Sequence, residues 1–326
     1  MGNGYSPSND EQSSSIAAIR SELERALGDQ SFSSEQELQD AVAQKVAELN
    51  QSPVTDFQGL SREQMHRLLH APFDAPDLVR FAEGIEARPA ATAFRLLEVI
   101  VDAAGEEGIK LTAKGNLPRA VVFEAKEALK AEGLKREWLP GVIRNEDDFL
   151  ELHLIKVTAG LARFMRKERG RLKATRATQK RFRKGEWAAI YHALLQAYCR
   201  QFNWAYADGW PDLRIVQDSF AFFLYLLHRF GDEPRPVSFY QRCFSQAFPA
   251  ALRQVNEEEV LFPGDCPERI VHNCWSVRIV LRFAMPFGLI EEVGGESDVP
   301  WLKGEPESLV IRRSALYDRV VSWGLT

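Results

Sequence analysis

The segment NEDDFLELHLIKVTAGLARFMRKERGRLKATRATQKRFRK, Asn145–Lys184, contains the pattern that decides the fold. Asn145 is suited to cap a helix, and the three acids after it suit the positive end of a helix dipole. Apolar residues at helical spacing then lead to Gly160, where the helix should end. A charged turn at Lys167–Gly170 and the alternating residues Arg171–Thr175 are typical of a β-hairpin. The segment therefore predicts a helix, a hairpin and the basic start of a second helix.

The same order recurs in looser form along the chain. Gly160 and Gly288, each followed by leucine, end predicted helices, and the strand that returns brings Thr175 or Ser314 to the next helix. Periodicity leaves open whether residues 161–166 continue the helix or begin the hairpin. A helix followed by such a hairpin is typical of a winged helix, and its recurrence indicates a repeated unit. We predict a mainly α fold, a helical bundle with tandem winged-helix-like units that carry short β-hairpins.

These patterns divide the chain into five regions. We expect a flexible N-terminus at 1–14, an N-terminal helical region at 15–88, two winged-helix-like units at 89–186, core helices at 187–265 and a third winged-helix-like unit at 266–326. The most apolar run, Phe220–Leu227, is apolar on all sides of a helix, which predicts a place in the middle of the core. It is far shorter than the roughly 20 residues that span a bilayer, so we expect no membrane association.

A second stretch carries a resemblance to known proteins. Residues Leu111–Pro118 read LTAKGNLP, and the unit Gly160–Thr175 follows them. Together they resemble the C-terminal part of uncharacterised bacterial proteins, some of which are carried on plasmids and near mobile elements. The wing pattern also resembles that of MarR-type transcription regulators. The resemblance covers less than a third of the chain, concerns the fold, and implies no active-site residue.

Charge is distributed unevenly along the chain. The 41 basic and 46 acidic residues give a net charge of −5, which does not predict that the whole molecule binds nucleic acid. Residues 163–184 nevertheless hold eleven Lys or Arg and one acid, Glu168, a net +10 that leaves −15 on the rest. This local excess of positive charge predicts an anion-binding surface. The alternative interpretation is a solvated face that the acidic remainder of the chain neutralises. The side chains predicted to bind phosphate are Arg166, Lys167, Arg169, Arg171, Lys173, Arg176, Lys180, Arg181, Arg183 and Lys184.

The helix in front of the predicted wing argues against base reading. In a winged-helix regulator this helix enters the major groove. Here it begins with Glu146, Asp147 and Asp148 and includes Glu151, all of which phosphates would repel. We therefore expect any contact with nucleic acid to be made to the backbone, without reading of sequence.

Catalytic motifs are not visible in the sequence. It contains no P-loop, dinucleotide-binding glycine motif or nucleophile elbow. Cys266, His272 and Cys274 do not converge as ligands of one ion, so we expect no metal and no cofactor. The aromatic segment Trp204–Trp210 is interpreted as a hydrophobic plug between two long helices, and the lining of a ligand pocket is the alternative.

These observations favour a non-enzymatic binding or adaptor protein with a protein partner. The first alternative is a nucleic-acid-associated protein that contacts phosphates through the basic wing. The second is an enzyme that uses the Trp204–Trp210 region as a pocket. Four cysteines in a long chain without a visible secretory signal favour a cytoplasmic location. The oligomeric state is left open.

Overall fold

A computed structural model describes residues 33–134, 143–255, 266–294 and 309–325. The expected flexible segment 1–14 lies outside these ranges. The helices are α1 Glu35–Gln51, α2 Arg62–His70, α3 Thr92–Ala104, α4 Arg119–Ala131, α5 Leu150–Leu161, α6 Arg176–Lys184, α7 Trp187–Arg200, α8 Arg214–Asp218, α9 Phe220–Phe230, α10 Val237–Ala247, α11 Ala250–Arg253, α12 Pro267–Trp275, its π-helical continuation Ser276–Ala284, and α13 Tyr317–Val320. The prediction of a mainly helical protein is confirmed.

Eight short strands form three antiparallel sheets within the described residues. They are β1 Val79–Phe81, β2 Ile109–Lys110, β3 Met165–Glu168, β4 Arg171–Ala174, β5 Arg235–Pro236, β6 Ile290–Glu292, β7 Val310–Arg313 and β8 Val321–Trp323. The first sheet has the order β2-β4-β3, the second has the order β5-β7-β6, and β1 pairs with β8. The last pairing joins the N-terminal part of the described chain to its C-terminal strand.

The first and second sheets are built from the same succession of elements. The order α3, β2, α4, α5, β3, β4 precedes and forms the first sheet. The corresponding order for the second sheet is α9, β5, α10, α12 with its π-helix, β6 and β7, with the short α11 added between α10 and α12. In each sheet the last strand lies in the centre, between the other two. The chain therefore contains one arrangement of helices and strands twice.

Local backbone chemistry fixes both ends of the first hairpin. α5 ends at Leu161 and β3 begins at Met165, which resolves the ambiguity that periodicity left at 161–166. At the tip, Arg169 and Gly170 both have positive φ, 48° and 72°. Two such residues in succession give the turn whose twist matches that of paired strands. The hairpin is therefore tight, with one arginine at its tip.

The core is centred on α9, as the sequence predicts. Phe220–Leu227 is buried along its whole length. The phenol hydroxyls that reach into this apolar interior find backbone acceptors: Tyr191 donates to the carbonyl of Phe287 at 2.6 Å, and Tyr198 to that of Arg282 at 2.6 Å. Buried polar groups of this kind are hydrogen-bonded because an unpaired one costs about 1–3 kcal/mol. No helix of the described residues is long and apolar enough to cross a bilayer.

Two buried arginines hold the loop between α7 and α8. Arg278 and Arg282, on the π-helix, are 1% and 4% exposed. Arg278 Nε donates to the fully buried carboxylate of Asp208 at 2.8 Å, and Arg282 Nη1 lies 3.7 Å from the same carboxylate. Arg282 Nη1 also donates to the loop carbonyl of Tyr206 at 2.8 Å, and Arg278 Nη2 donates to that of Pro211 at 2.8 Å. One carboxylate and several carbonyls thus balance two buried positive charges.

Replacing Asp208 with asparagine keeps the shape of the side chain and removes its charge. Because two guanidinium groups stay buried beside it, we expect Asp208→Asn to lower the free energy of unfolding by about 3 kcal/mol. Urea unfolding followed by circular dichroism measures the loss. The matched control is Glu291→Gln, which breaks an exposed ion pair with Arg312 and should cost less than about 1 kcal/mol. Equal losses in both variants would show that the buried cluster has no special weight.

Candidate functional site

The predicted phosphate-binding residues lie on two adjoining elements, the β3–β4 hairpin and α6. Met165 pairs with Ala174 in the hairpin, and Thr175 then caps α6 by accepting from the amide of Thr178 at 3.3 Å. Thr178 is buried and donates to the carbonyl of Phe164 at 3.0 Å. The helix is therefore attached to the base of the hairpin from which it emerges.

Two further contacts set the orientation of α6. Gln179 Nε2 donates to the carbonyl of Gly105, at the end of α3, at 3.0 Å. The ring of Phe182 packs against those of Phe94 and Trp187, at centroid distances of 6.2 and 6.1 Å. With this face of the helix anchored, the opposite face carries only exposed side chains. Three of its exposed cations at helical spacing, Arg176, Lys180 and Arg183, are named here the outer row.

The structure places most of the ten predicted residues in solvent. Seven are exposed: Arg166, Lys167, Arg169, Arg176, Lys180, Arg183 and Lys184. Three are half-buried: Arg171, Lys173 and Arg181. Arg163, which the prediction omitted, is exposed next to them, and Thr175 donates to its carbonyl at 3.3 Å. These eleven side chains are called the basic surface below.

Acids neutralise only part of the basic surface. Glu168 binds Arg166 at 2.7 Å and Lys173 at 3.0 Å. The hydrogen bond from Lys173 and the charge of Arg166 hold the pKa of Glu168 below its usual value. Arg171, Arg181 and Lys184 lie between 3.7 and 3.9 Å from Glu107 or Glu186, in exposed pairs. Among the described residues no acid pairs with the remaining cations, which are Arg163, Lys167, Arg169, Arg176, Lys180 and Arg183.

The helix in front of the hairpin is not available to a groove. Every residue of α5 except Gly160 is buried or half-buried. We expected four acids near the start of this helix to repel phosphates. Of these, Glu146 and Glu151 are buried, and only Asp147 and Asp148 stay near solvent. The π-helix Ser276–Ala284, which precedes β6, has no exposed residue. Neither helix can therefore present side chains to base edges.

Glu146 forms a buried polar cluster at the start of α5. Its carboxylate binds His153 Nδ1 at 2.5 Å, the ammonium of Lys156 and the backbone amide of Leu117. His153 Nε2 in turn lies 3.2 Å from the hydroxyl of Tyr206, in the loop between α7 and α8. Burial raises the pKa of Glu146, but the bonds from His153, Leu117 and Lys156 outweigh it and leave this pKa below its usual value. From the sequence we expected Glu146 at a helix end facing solvent, and the cluster was not predicted.

The LTAKGNLP segment connects this cluster to the first sheet. Thr112 and Asn116 close a turn by two hydrogen bonds, between the Thr112 amide and the Asn116 carbonyl at 2.9 Å and from the Asn116 amide to Thr112 Oγ1 at 3.0 Å. Asn116 Nδ2 donates to Asp147 at 2.8 Å, and the amide of Leu117 donates to Glu146. The residues that carry the sequence resemblance therefore have a structural role, which is to fix β2 and α4 against the start of α5.

The second hairpin has no comparable basic surface in its described residues. Arg312 binds Glu291 at 2.7 Å. Arg313 lies 2.5 Å from Asp232 and 3.3 Å from Asp318. Both arginines of β7 are thus paired with acids among the described residues. The two sheets share a topology, and only the first is strongly basic.

The aromatic segment Trp204–Trp210 is divided between core and surface. Trp204 is 1% exposed and packs on Tyr198 of α7 and Phe283 of the π-helix, at centroid distances of 5.4 and 5.1 Å, so this residue belongs to the core. Tyr206 is 46% exposed and does not belong to that plug. In the described part of the chain, no group of three or more His, Cys, Asp or Glu side chains is placed to hold a metal ion.

Comparison with known proteins concerns one part of the chain. Residues 90–186 match the family described as the Y4jL N-terminal domain. The matched range begins just before α3 and ends just after Gly185, which caps the C-terminus of α6. No curated protein and no solved structure matches the chain. The similarity therefore covers the first sheet, its helices and α6, and it includes the whole basic surface.

The Glu146 cluster should make stability depend on pH. Because the pKa of Glu146 is lower in the folded than in the unfolded protein, its contribution is present at neutral pH and is lost as pH falls below about 4.5, through the folded pKa. We expect Glu146→Gln to destabilise by about 3 kcal/mol at pH 7, since Lys156 stays buried without its counter-charge. Urea unfolding at pH 7 and pH 4 should show the difference from the unaltered protein shrinking at pH 4. The control is Glu127→Gln on the exposed face of α4; a difference independent of pH would contradict the assignment.

Proposed function

We propose that the chain contains two winged-helix-like units, at residues 92–174 and 220–313, in place of the three expected from the sequence. Apart from the short α11, which the second unit adds, each has the succession helix, strand, helix, helix, strand, strand, and in each sheet the last strand lies in the centre. On this proposal the first of the two units predicted within residues 89–186 has no sheet of its own. Its strand β2 pairs with β4, which belongs to the hairpin of the second predicted unit. Helices α9 and α10, which we predicted among the core helices at 187–265, belong on this proposal to the second unit.

We propose further that the protein is a non-enzymatic binding protein that contacts nucleic-acid phosphates through the basic surface. The observation that carries this proposal is an array of exposed Lys and Arg on two anchored elements of an otherwise acidic chain. Contacts from such side chains to phosphates supply affinity without sequence information. The burial of α5 and of the π-helix supports the same conclusion, because those helices are out of reach of base edges.

The adaptor role remains the second candidate, and one observation favours it. Helix α1 has no buried residue, and its apolar residue Leu38 is 40% exposed. A helix without a fully buried residue gains little from packing on its own chain, and the exposed Leu38 is available to a protein partner. We include a cytoplasmic location in the proposal, because Cys199, Cys243, Cys266 and Cys274 are all free thiols.

Salt dependence tests the binding of nucleic acid. If each of the six basic-surface cations without an acidic partner in the described residues neutralises one phosphate, the logarithm of the binding constant should fall with the logarithm of salt concentration with a slope of about −5. Fluorescence anisotropy with a labelled duplex of random sequence, at 50 to 200 mM salt, measures the slope. Absence of binding at the lowest salt concentration would refute the proposed function.

Charge reversal locates the contact. Changing Arg176, Lys180 and Arg183 to Glu removes the outer row, and we expect the slope to become shallower by about 3, with weaker binding to every sequence. The matched control reverses three exposed cations of α4 in the same unit, which are Arg119, Lys126 and Lys130. Equal losses in both triple variants would place the contact elsewhere, and thermal unfolding of each variant verifies that it is folded.

Glu168 should limit affinity. It is the one acid within residues 163–184 and holds Arg166 and Lys173 in ion pairs that a phosphate has to replace. Exposed ion pairs of this kind are weak, so Glu168→Gln is expected to strengthen binding by about two- to fivefold at low salt. The same titration measures the change, and weaker binding in this variant would contradict the placement of phosphate at the hairpin.

A further inference from the structure

We infer that the basic surface is built for the backbone of a double-stranded nucleic acid, and that α6 rather than the helix before the wing lies along it. This inference rests on the proposed function and specifies its ligand. Three features carry it: the spacing of the cations on α6, the rigidity with which the helix is held, and the position of the aromatic rings next to it.

The spacing of the outer row suits regularly spaced phosphates. Arg176, Lys180 and Arg183 lie at positions i, i+4 and i+7, so they extend over about 10 Å along one face of the helix. Successive phosphates of one strand are separated by 3.4 Å along the axis of the duplex. About three phosphates of that strand therefore lie within the same length of axis. Arg163 adds a fourth cation at the N-terminal end, where its carbonyl accepts from Thr175. One row of cations therefore meets a similar number of charges on one strand.

The row is held rigidly before any ligand arrives. Thr178 is fixed to the carbonyl of Phe164, Gln179 to that of Gly105, and Phe182 against two aromatic rings. The strands of the hairpin pair over four residues each. Because the backbone of α6 is already anchored, binding a rigid duplex requires only the exposed Lys and Arg side chains to be ordered. A flexible single strand would have to be ordered on it, and that ordering would weaken binding.

The aromatic residues of the segment cannot serve as a platform for bases. Proteins that grip single strands stack successive bases on aromatic side chains, which contributes about 1–3 kcal/mol per base. Within residues 163–184 the two aromatic residues are Phe164, which is 2% exposed, and Phe182, which is half-buried between Phe94 and Trp187. Unpaired bases would gain nothing there, whereas a duplex keeps its bases stacked internally and offers the phosphates alone.

Titration of the full chain with matched ligands tests the inference. The probes are a labelled 20-base-pair DNA duplex, an RNA duplex of the same sequence, and an unstructured oligothymidylate with the same number of phosphates. We expect at least one of the two duplexes to bind about tenfold or more tightly than the single strand at 50 mM salt, and this preference to fall at least threefold when Arg176, Lys180 and Arg183 are changed to Glu. The two duplex titrations decide whether DNA, RNA or both are bound.

The contrary results are distinct. Equal or tighter binding of the single strand overturns the duplex assignment and leaves the proposed function standing. An unchanged duplex preference in the outer-row variant overturns the role of α6. Failure of all three probes to bind refutes the proposed function and the inference together. The triple variant of Arg119, Lys126 and Lys130 serves as control, because it alters charge on a helix outside the basic surface.

Discussion

The buried carboxylate of Asp208 and the guanidinium groups of Arg278 and Arg282 are the interaction on which the rest of the structure depends. Burying two positive charges is costly unless a counter-charge and hydrogen-bond acceptors surround them. The loop between α7 and α8 provides both, and its path is thereby fixed. The same loop brings Tyr206 to His153, and so to the Glu146 cluster at the start of α5. Polar contacts thus connect the π-helix of the second sheet to the helices of the first.

This connection decides which surfaces remain for binding. Helix α5 and the π-helix pack in the interior, so they stabilise the fold and are not available to a ligand. The hairpin and α6 remain exposed beside the first sheet, and these two elements carry the basic surface. The second hairpin has the same strand order with balanced charges in its described residues. Topology is therefore shared between the two sheets, whereas the charge that suits phosphates belongs to one of them.

Much of the candidate site could be predicted because it depends on local chemistry. Exposed Lys and Arg residues are recognisable as a charge run, and the turn at Arg169 and Gly170 and the cap at Thr175 follow from neighbouring residues. The Glu146 cluster was missed for the opposite reason. His153 and Lys156 lie three residues apart on one side of α5, whereas Glu146 precedes that helix, and only the packing of the folded chain brings its carboxylate to both of them.

The sequence by itself determined that the protein is mainly helical, that α9 lies in the core, and that residues 163–184 form a hairpin and a basic helix. These features follow from period, capping and turn geometry, which act over a few residues. Only the tertiary structure decided that β2 pairs with β4, that α9 and α10 precede the second sheet, and that two arginines on an amphipathic helix face inward. These features depend on residues distant in the chain, as Asp208 is from Arg278. A charged side chain is buried only where the fold places a counter-charge and hydrogen-bond acceptors beside it.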